Sequence, residues 1–141
     1  MKNFATKIYN PNVGLLLIRI ALGVVFLYHG LGKFQDMEGV VKFFSAIDLP
    51  VFLAYLVAIV EFFGGLALLL GVFVEVSASI LAIVMFMAIV LTKYANGFAG
   101  MPGRPGYELD FVLFFALLGV AFLGSGRFAF KKFWAKEDPV I

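Results

Sequence analysis

Residues 50–74 read PVFLAYLVAIVEFFGGLALLLGVFV. The stretch exceeds the roughly 20 apolar residues that a helix needs to cross the hydrocarbon of a bilayer. It holds one charged side chain, Glu61. Its apolar residues run on without alternating, which excludes a barrel strand. Backbone groups in lipid must bond within their own segment, so the stretch is a helix. Pro50 stands where a helix can start without losing a hydrogen bond.

Working outward, three more runs suit the same reading: 12–31, 76–91 and 107–123. A polar segment with Lys33, Gln35, Asp36, Glu38, Lys42 and Asp48 joins the first two spans. A tight turn at Glu75 joins the next two. Residues 96–106 carry Gly97, Gly100, Gly103 and Gly106 at every third position and read as a turn-rich connector, or alternatively as a lid. Short connections make neighbours antiparallel. The expected fold is all-α: one membrane-embedded, antiparallel four-helix bundle over residues 1–141.

Composition agrees. The chain is 63% hydrophobic and 14% charged, against about 45–50% and 25% for soluble domains. A soluble chain of 141 residues has too much surface for its volume to hide that much apolar area. The net charge of +2 gives no reason to expect nucleic acid. The chain has no cysteine, which excludes thiol catalysis and thiolate metal sites within it. With His29 the only histidine, an all-protein metal site is not expected either. Met85 and Met87 read as packing residues. The basic start before an apolar run resembles a signal peptide, but the run is too long and Gly30-Leu31-Gly32-Lys33 offers no cleavage site.

Basic residues set orientation. Lys2, Lys7, Arg127, Lys131, Lys132 and Lys136 fall on one side, and Lys33, Lys42, Lys93 and Arg104 on the other. Both termini are therefore expected on the cytoplasmic side of the membrane. Residues 67–73 echo residues 116–122, each after an acid, Glu61 or Glu108. Duplication of a helical hairpin explains this, as does chance matching in Leu/Gly-rich sequence.

The informative residues are charges where lipid should be. Arg19 lies in the first span and Glu61 in the second. An ionised group at mid-bilayer costs about 2.5–3.5 kcal/mol on insertion scales, so it faces the bundle interior and a partner. Arg19 shares a helical face with Gly23, Phe26, Gly30 and Lys33; Glu61 shares one with Ala54, Ala58 and Gly65. Small residues let helices approach closely. These faces are expected to meet and to bring Arg19 to Glu61, either as a structural staple or as the polar end of a pocket. A second cluster lies at the other boundary: His29, Lys33, Glu108 and Asp110, with Arg104 nearby. Snorkelling and helix capping compete there with a functional role. His29 is the side chain best suited to proton exchange near neutral pH.

Arg19-Ile20-Ala21-Leu22-Gly23 followed by His29-Gly30-Leu31-Gly32-Lys33 resembles the first-helix signature of the DoxX family. Glu61-Phe62-Phe63-Gly64-Gly65-Leu66, closing on Leu69-Leu70-Gly71, resembles its second-helix motif. Gly106-Tyr107-Glu108-Leu109-Asp110 resembles the start of its fourth helix. The resemblance covers nearly the whole chain. It implies a four-helix bacterial membrane protein associated with membrane oxidoreductase systems, among them a thiosulfate:quinone oxidoreductase subunit, or an accessory of oxidative-stress or metal-handling systems. One departure stands out. The family's Gly-Pro-Gly and following Ser-Leu-Asp are replaced here by Gly124-Ser125-Gly126 and Ala129-Phe130-Lys131.

Three functions follow as expectations. The first is an oxidoreductase-associated membrane subunit, rather than a stand-alone enzyme, with quinone as the candidate cofactor. Phe26, Phe62, Phe63, Phe111 and Phe115 would form its slot, and Arg19, Glu61 and His29 its polar end. Electrons would come from a membrane or periplasmic redox partner. The second is a scaffold or chaperone, and the third a small proton or solute transporter. A homo-oligomer is compatible with each.

Overall fold

The computed structural model describes residues 9–130, and the chain is mostly helical. Lys2, Lys7, Lys131, Lys132 and Lys136, on which most of the orientation argument rests, lie outside the described residues.

Helix α1 spans Pro11–Gln35. Asn10 caps it by accepting from the Val13 amide at 3.2 Å, and Pro11 opens it. Asp36 ends α1 and caps α2, Met37–Ala46, by accepting from the Gly39 amide at 3.1 Å. Helix α3 spans Val51–Leu70 and stops at Gly71. The Gly71 and Val72 amides both donate to the Ala67 carbonyl, and Gly71 takes a φ of +74°, a conformation that suits glycine. Phe73 also has positive φ, +48°, so the α3–α4 connection turns within Gly71, Val72 and Phe73. Helix α4, Val74–Ala88, continues through a π-helical turn at Ile89–Lys93 and a 3-10 turn at Tyr94–Asn96. A small antiparallel hairpin follows, β1 Gly100–Met101 with β2 Arg104–Pro105. Helix α5, Glu108–Leu123, is the last helix among the described residues, and an irregular segment follows it to residue 130.

Among the described residues there are five helices, against the four expected. Three helical stretches are long and apolar enough to cross a membrane: Pro11–Gln35, Val51–Leu70 and Val74–Asn96. Helix α5, at 16 residues, is shorter. The extra helix is α2, in the segment read as a polar connector. It is short and amphipathic, with the Asp36 cap at its start and an exposed Glu38–Lys42 pair of 2.7 Å one turn apart. The third membrane helix also runs past residue 91, which places Lys93 inside it.

Helices α1 and α3 pack closely along their glycines, and α4 packs on α5; the seam between α3 and α4 is looser. A methyl group on Gly30 would collide with the Phe62 backbone, and one on Gly65 with the backbone of Leu27 and Gly23. The two predicted small-residue faces therefore do meet, antiparallel, with Ala54 and Ala58 fully buried beneath them. A core including Leu22, Phe26, Leu68, Leu81, Leu113 and Leu117 fills the centre. One end of the bundle carries the start of α1 and the segment after α5, and is called here the terminal end. The other carries α2 and the hairpin, and is called the loop end.

Candidate functional site

The expected Arg19–Glu61 contact does not form. Arg19 is 1% exposed, and its guanidinium binds backbone carbonyls. Nε donates to Leu68 O at 3.1 Å, and Nη1 to Ser125 O at 2.7 Å and Phe128 O at 3.3 Å. Nη2 lies against Gly71, where a methyl group would strike it. The carboxylate of Glu75 acts on the guanidinium electrostatically. The reason for the miss is axial register. Gly30 lies beside Phe62 and Gly23 beside Gly65, so Arg19 falls opposite the last turn of α3. Glu61 is then roughly 13 Å further along the bundle at 1.5 Å per residue, beyond an arginine's reach. Arg19 sits at the terminal end, where α3 and the segment after α5 leave carbonyls that their own helices cannot satisfy.

Glu61 pairs with Lys33 instead. Helical side chains lean toward their own N-terminus, so Lys33, near the loop end of α1, leans down into the bundle. Glu61 is 4% exposed. It stands roughly 15 Å from Gly71 along α3, near mid-depth for a hydrocarbon layer of ~30 Å. Helix α5 supplies a second buried acid. Asp110 is 6% exposed and accepts from Lys93 Nζ at 2.6 Å. Lys93 belongs to the π-helical turn of α4, a local irregularity often found at functional positions. This second pair sits nearer the loop end than the first.

Both pairs line one cleft of about 510 Å³, within the ordinary range for small-molecule sites. Its walls are otherwise almost wholly apolar. Val57 and Val60 of α3 face Val84 and Leu91 of α4, and Phe43 and Phe44 of α2 cover the loop end. Several wall residues, including Leu56, Ile83 and Leu109, are also exposed on the outer surface of the bundle. The cleft is thus bordered by exposed apolar residues of α3, α4 and α5.

Of the residues expected at a pocket, Glu61, Lys33, Asp110, His29 and Phe26 line this cleft. Arg19 stands at the opposite end. Glu108 is exposed in the first turn of α5, two positions from Asp110 and so on another face of the helix. Phe62 and Phe63 are turned away from Glu61 by one and two helical steps. They pack on each other, and Phe62 packs edge-on against Phe34 at 5.7 Å. Phe111 and Phe115 pack at a tilt of 57°, with ring centroids 4.8 Å apart, outside the cleft. Residues of the Gly/Pro hairpin do not line the cleft. The sequence reading missed Lys93 and Thr92 as cleft residues. A lysine at the end of a long apolar run, with an acid just inside the next span, was the available signal.

The family model described as DoxX matches residues 14–94. The chain belongs to the DoxX family. Over 124 residues this DoxX-family chain is 36% identical to "Putative oxidoreductase CatD" of Bacillus subtilis, covering 84% of this chain and 89% of that protein. It is 34% identical over 134 residues to "Uncharacterized membrane protein Rv3486" of Mycobacterium tuberculosis, covering 86% and 82%. It is 36% identical over 67 residues to "Inner membrane protein YqjF" of Escherichia coli, covering 48% and 52%. No solved structure matches the chain.

Proposed function

We propose that this protein is a membrane subunit or accessory of an oxidoreductase system, and that its cleft takes a quinone from the bilayer. The observation that carries the reading is the placement of two ion pairs, each of a buried carboxylate with a half-buried lysine, on the wall of an otherwise apolar cleft. A quinone has a ring with two carbonyl acceptors and a long apolar tail, and its two-electron reduction takes up two protons. The residues present fit such a molecule. Lys33 and Lys93 are ammonium donors for carbonyl oxygens, Glu61 and Asp110 hold those donors in place, and the α3–α4 seam suits the tail. Charged donors in a low-dielectric site make stronger hydrogen bonds than neutral ones. The name of the Bacillus subtilis relative is consistent with a redox setting.

The same reading extends to arrangement in the membrane. With α5 tilted little, or the bilayer locally thinned, its 16 residues complete a four-helix bundle. The loop end then faces the periplasm and both termini the cytoplasm. Electrons come from a partner protein.

The test is binding of a short-chain ubiquinone to the full protein in lipid nanodiscs, read by thermal stabilisation and by the quinone absorbance spectrum. Wild-type protein should be stabilised by the quinone. Glu61→Gln should accumulate normally and lose affinity about tenfold, or ~1.4 kcal/mol. Absence of any quinone effect on folded wild-type protein would refute the reading. Full cellular function of Glu61→Gln at normal abundance would favour a scaffold instead.

A further inference from the structure

A second hollow adjoins the cleft. It measures about 350 Å³ and is formed by the last turns of α1 and the start of α2. Its wall is far more polar than that of the cleft and includes Tyr28, Gly32, Gln35 and Asp36, with Val40 from α2. His29 and Lys33 line both this hollow and the cleft. They stand four residues apart on α1, so their side chains are neighbours one turn apart. Lys33 is also the partner of Glu61. A continuous row of polar side chains therefore runs from an open polar hollow, through His29 and Lys33, to a carboxylate near mid-depth.

We propose that His29 carries protons between water in that hollow and the Lys33–Glu61 pair. The inference deepens the reading of the cleft as a site for a ligand that takes up or releases protons. Apart from His29, Lys33, Thr92, Lys93 and Asp110, the cleft that Glu61 lines is apolar. A lysine ammonium, with an ordinary pKa near 10.4, rarely releases its proton at neutral pH; an imidazole, near 6.5, gains and loses one readily. The neutral imidazole takes a proton from water in the hollow on its free nitrogen, and the resulting imidazolium gives the proton of its other nitrogen toward the Glu61 carboxylate. A ring flip then restores the starting tautomer of His29, and one proton has moved. The charged and titratable groups around His29 are few. Tyr28 packs edge-on against it at 5.9 Å. Lys33 and Asp36 share the hollow; Glu61, and then Lys93 and Asp110, face it from the cleft. Helix α2 brings only apolar side chains to either wall, because Glu38 and Lys42 pair with each other at its surface.

The test needs no quinone. Full-length protein in lipid nanodiscs is taken through a rapid pH jump, and protonation of Glu61 is followed by its carboxyl infrared band, assigned as the band missing from Glu61→Gln. In His29→Gln, and in His29→Asn as a second variant, the rate should fall roughly tenfold or more, with the titration end point unchanged. Free imidazole added to the buffer should restore the rate by entering the hollow. A purely structural role for His29 would shift the end point and would not respond to imidazole. An unchanged rate in both variants overturns the inference. So does the absence of any Glu61 band that responds to the pH jump. Quinone binding is measured separately on the same wild-type sample. Normal proton kinetics without quinone binding would break the reading of the cleft and leave the proton route standing.

Discussion

The two ends of the bundle bury charge in opposite ways. At the terminal end, Arg19 is held by the backbone carbonyls of Leu68, Ser125 and Phe128, with Gly71 packed against it. At the loop end, Lys33 meets Glu61 and Lys93 meets Asp110, side chain to side chain, with about 510 Å³ of space beside them. A guanidinium clasped by backbone has no freedom to change partner without loosening helix ends. An ammonium paired with a carboxylate next to a cleft can exchange that partner for a ligand. A buried charge alone therefore does not mark a site; a buried charge with an exchangeable partner and adjoining space does.

Four variants sharpen or break this contrast. The largest effect is expected from Arg19→Met, which strands several carbonyls where α1, α3 and the segment after α5 converge. The cost should be about 3–5 kcal/mol, read as poor accumulation and a collapsed melting temperature in detergent. A melting temperature near wild type would show that Arg19 is no staple. Gly71→Ala comes next, at about 2 kcal/mol. It forces a side chain into a φ of +74° and onto Arg19, and the same melt measures it. The double variant Lys33→Met with Glu61→Leu should behave differently. Replacing a buried ion pair by apolar residues of similar size is often neutral, so stability should stay within about 1 kcal/mol of wild type while short-chain ubiquinone binding disappears. Retained binding would disconnect the pair from the cleft's ligand. Smallest is Glu108→Gln, an exposed change expected to fall within about 0.5 kcal/mol and to leave quinone affinity unaltered. A large effect there would extend the site onto the hairpin side of α5.

Much of this architecture was legible before any coordinates. Continuous apolar runs gave the long helices, and the stripes Gly23/Gly30 and Ala54/Ala58/Gly65 gave the α1–α3 contact correctly. The partner of Glu61 was misread because helical periodicity fixes which face a residue occupies, but not how far one helix slides along another. Gly30 seating on Phe62 sets that offset, and it puts Lys33 rather than Arg19 within reach. Helix α2 was missed because its apolar residues are spread among charges and its cap rests on one hydrogen bond, from the Gly39 amide to Asp36. Asp110 read as a capping or snorkelling charge, and Lys93 only as part of the orientation count, because sequence does not show their neighbours. Their pairing depends on how α4 and α5 pack, which no local pattern encodes.

The staple at Arg19 also has a timetable. Its acceptors Leu68 and Ser125 lie 49 and 106 positions later in the chain. A ribosome adding roughly 5–20 residues per second delivers the last of them only after roughly 5–20 s. During that interval the first helix is in or near the membrane with its guanidinium incompletely clasped. Completion of the C-terminal segment is thus the event that locks the first helix in place, and chains that terminate early should be the ones that quality-control proteases remove.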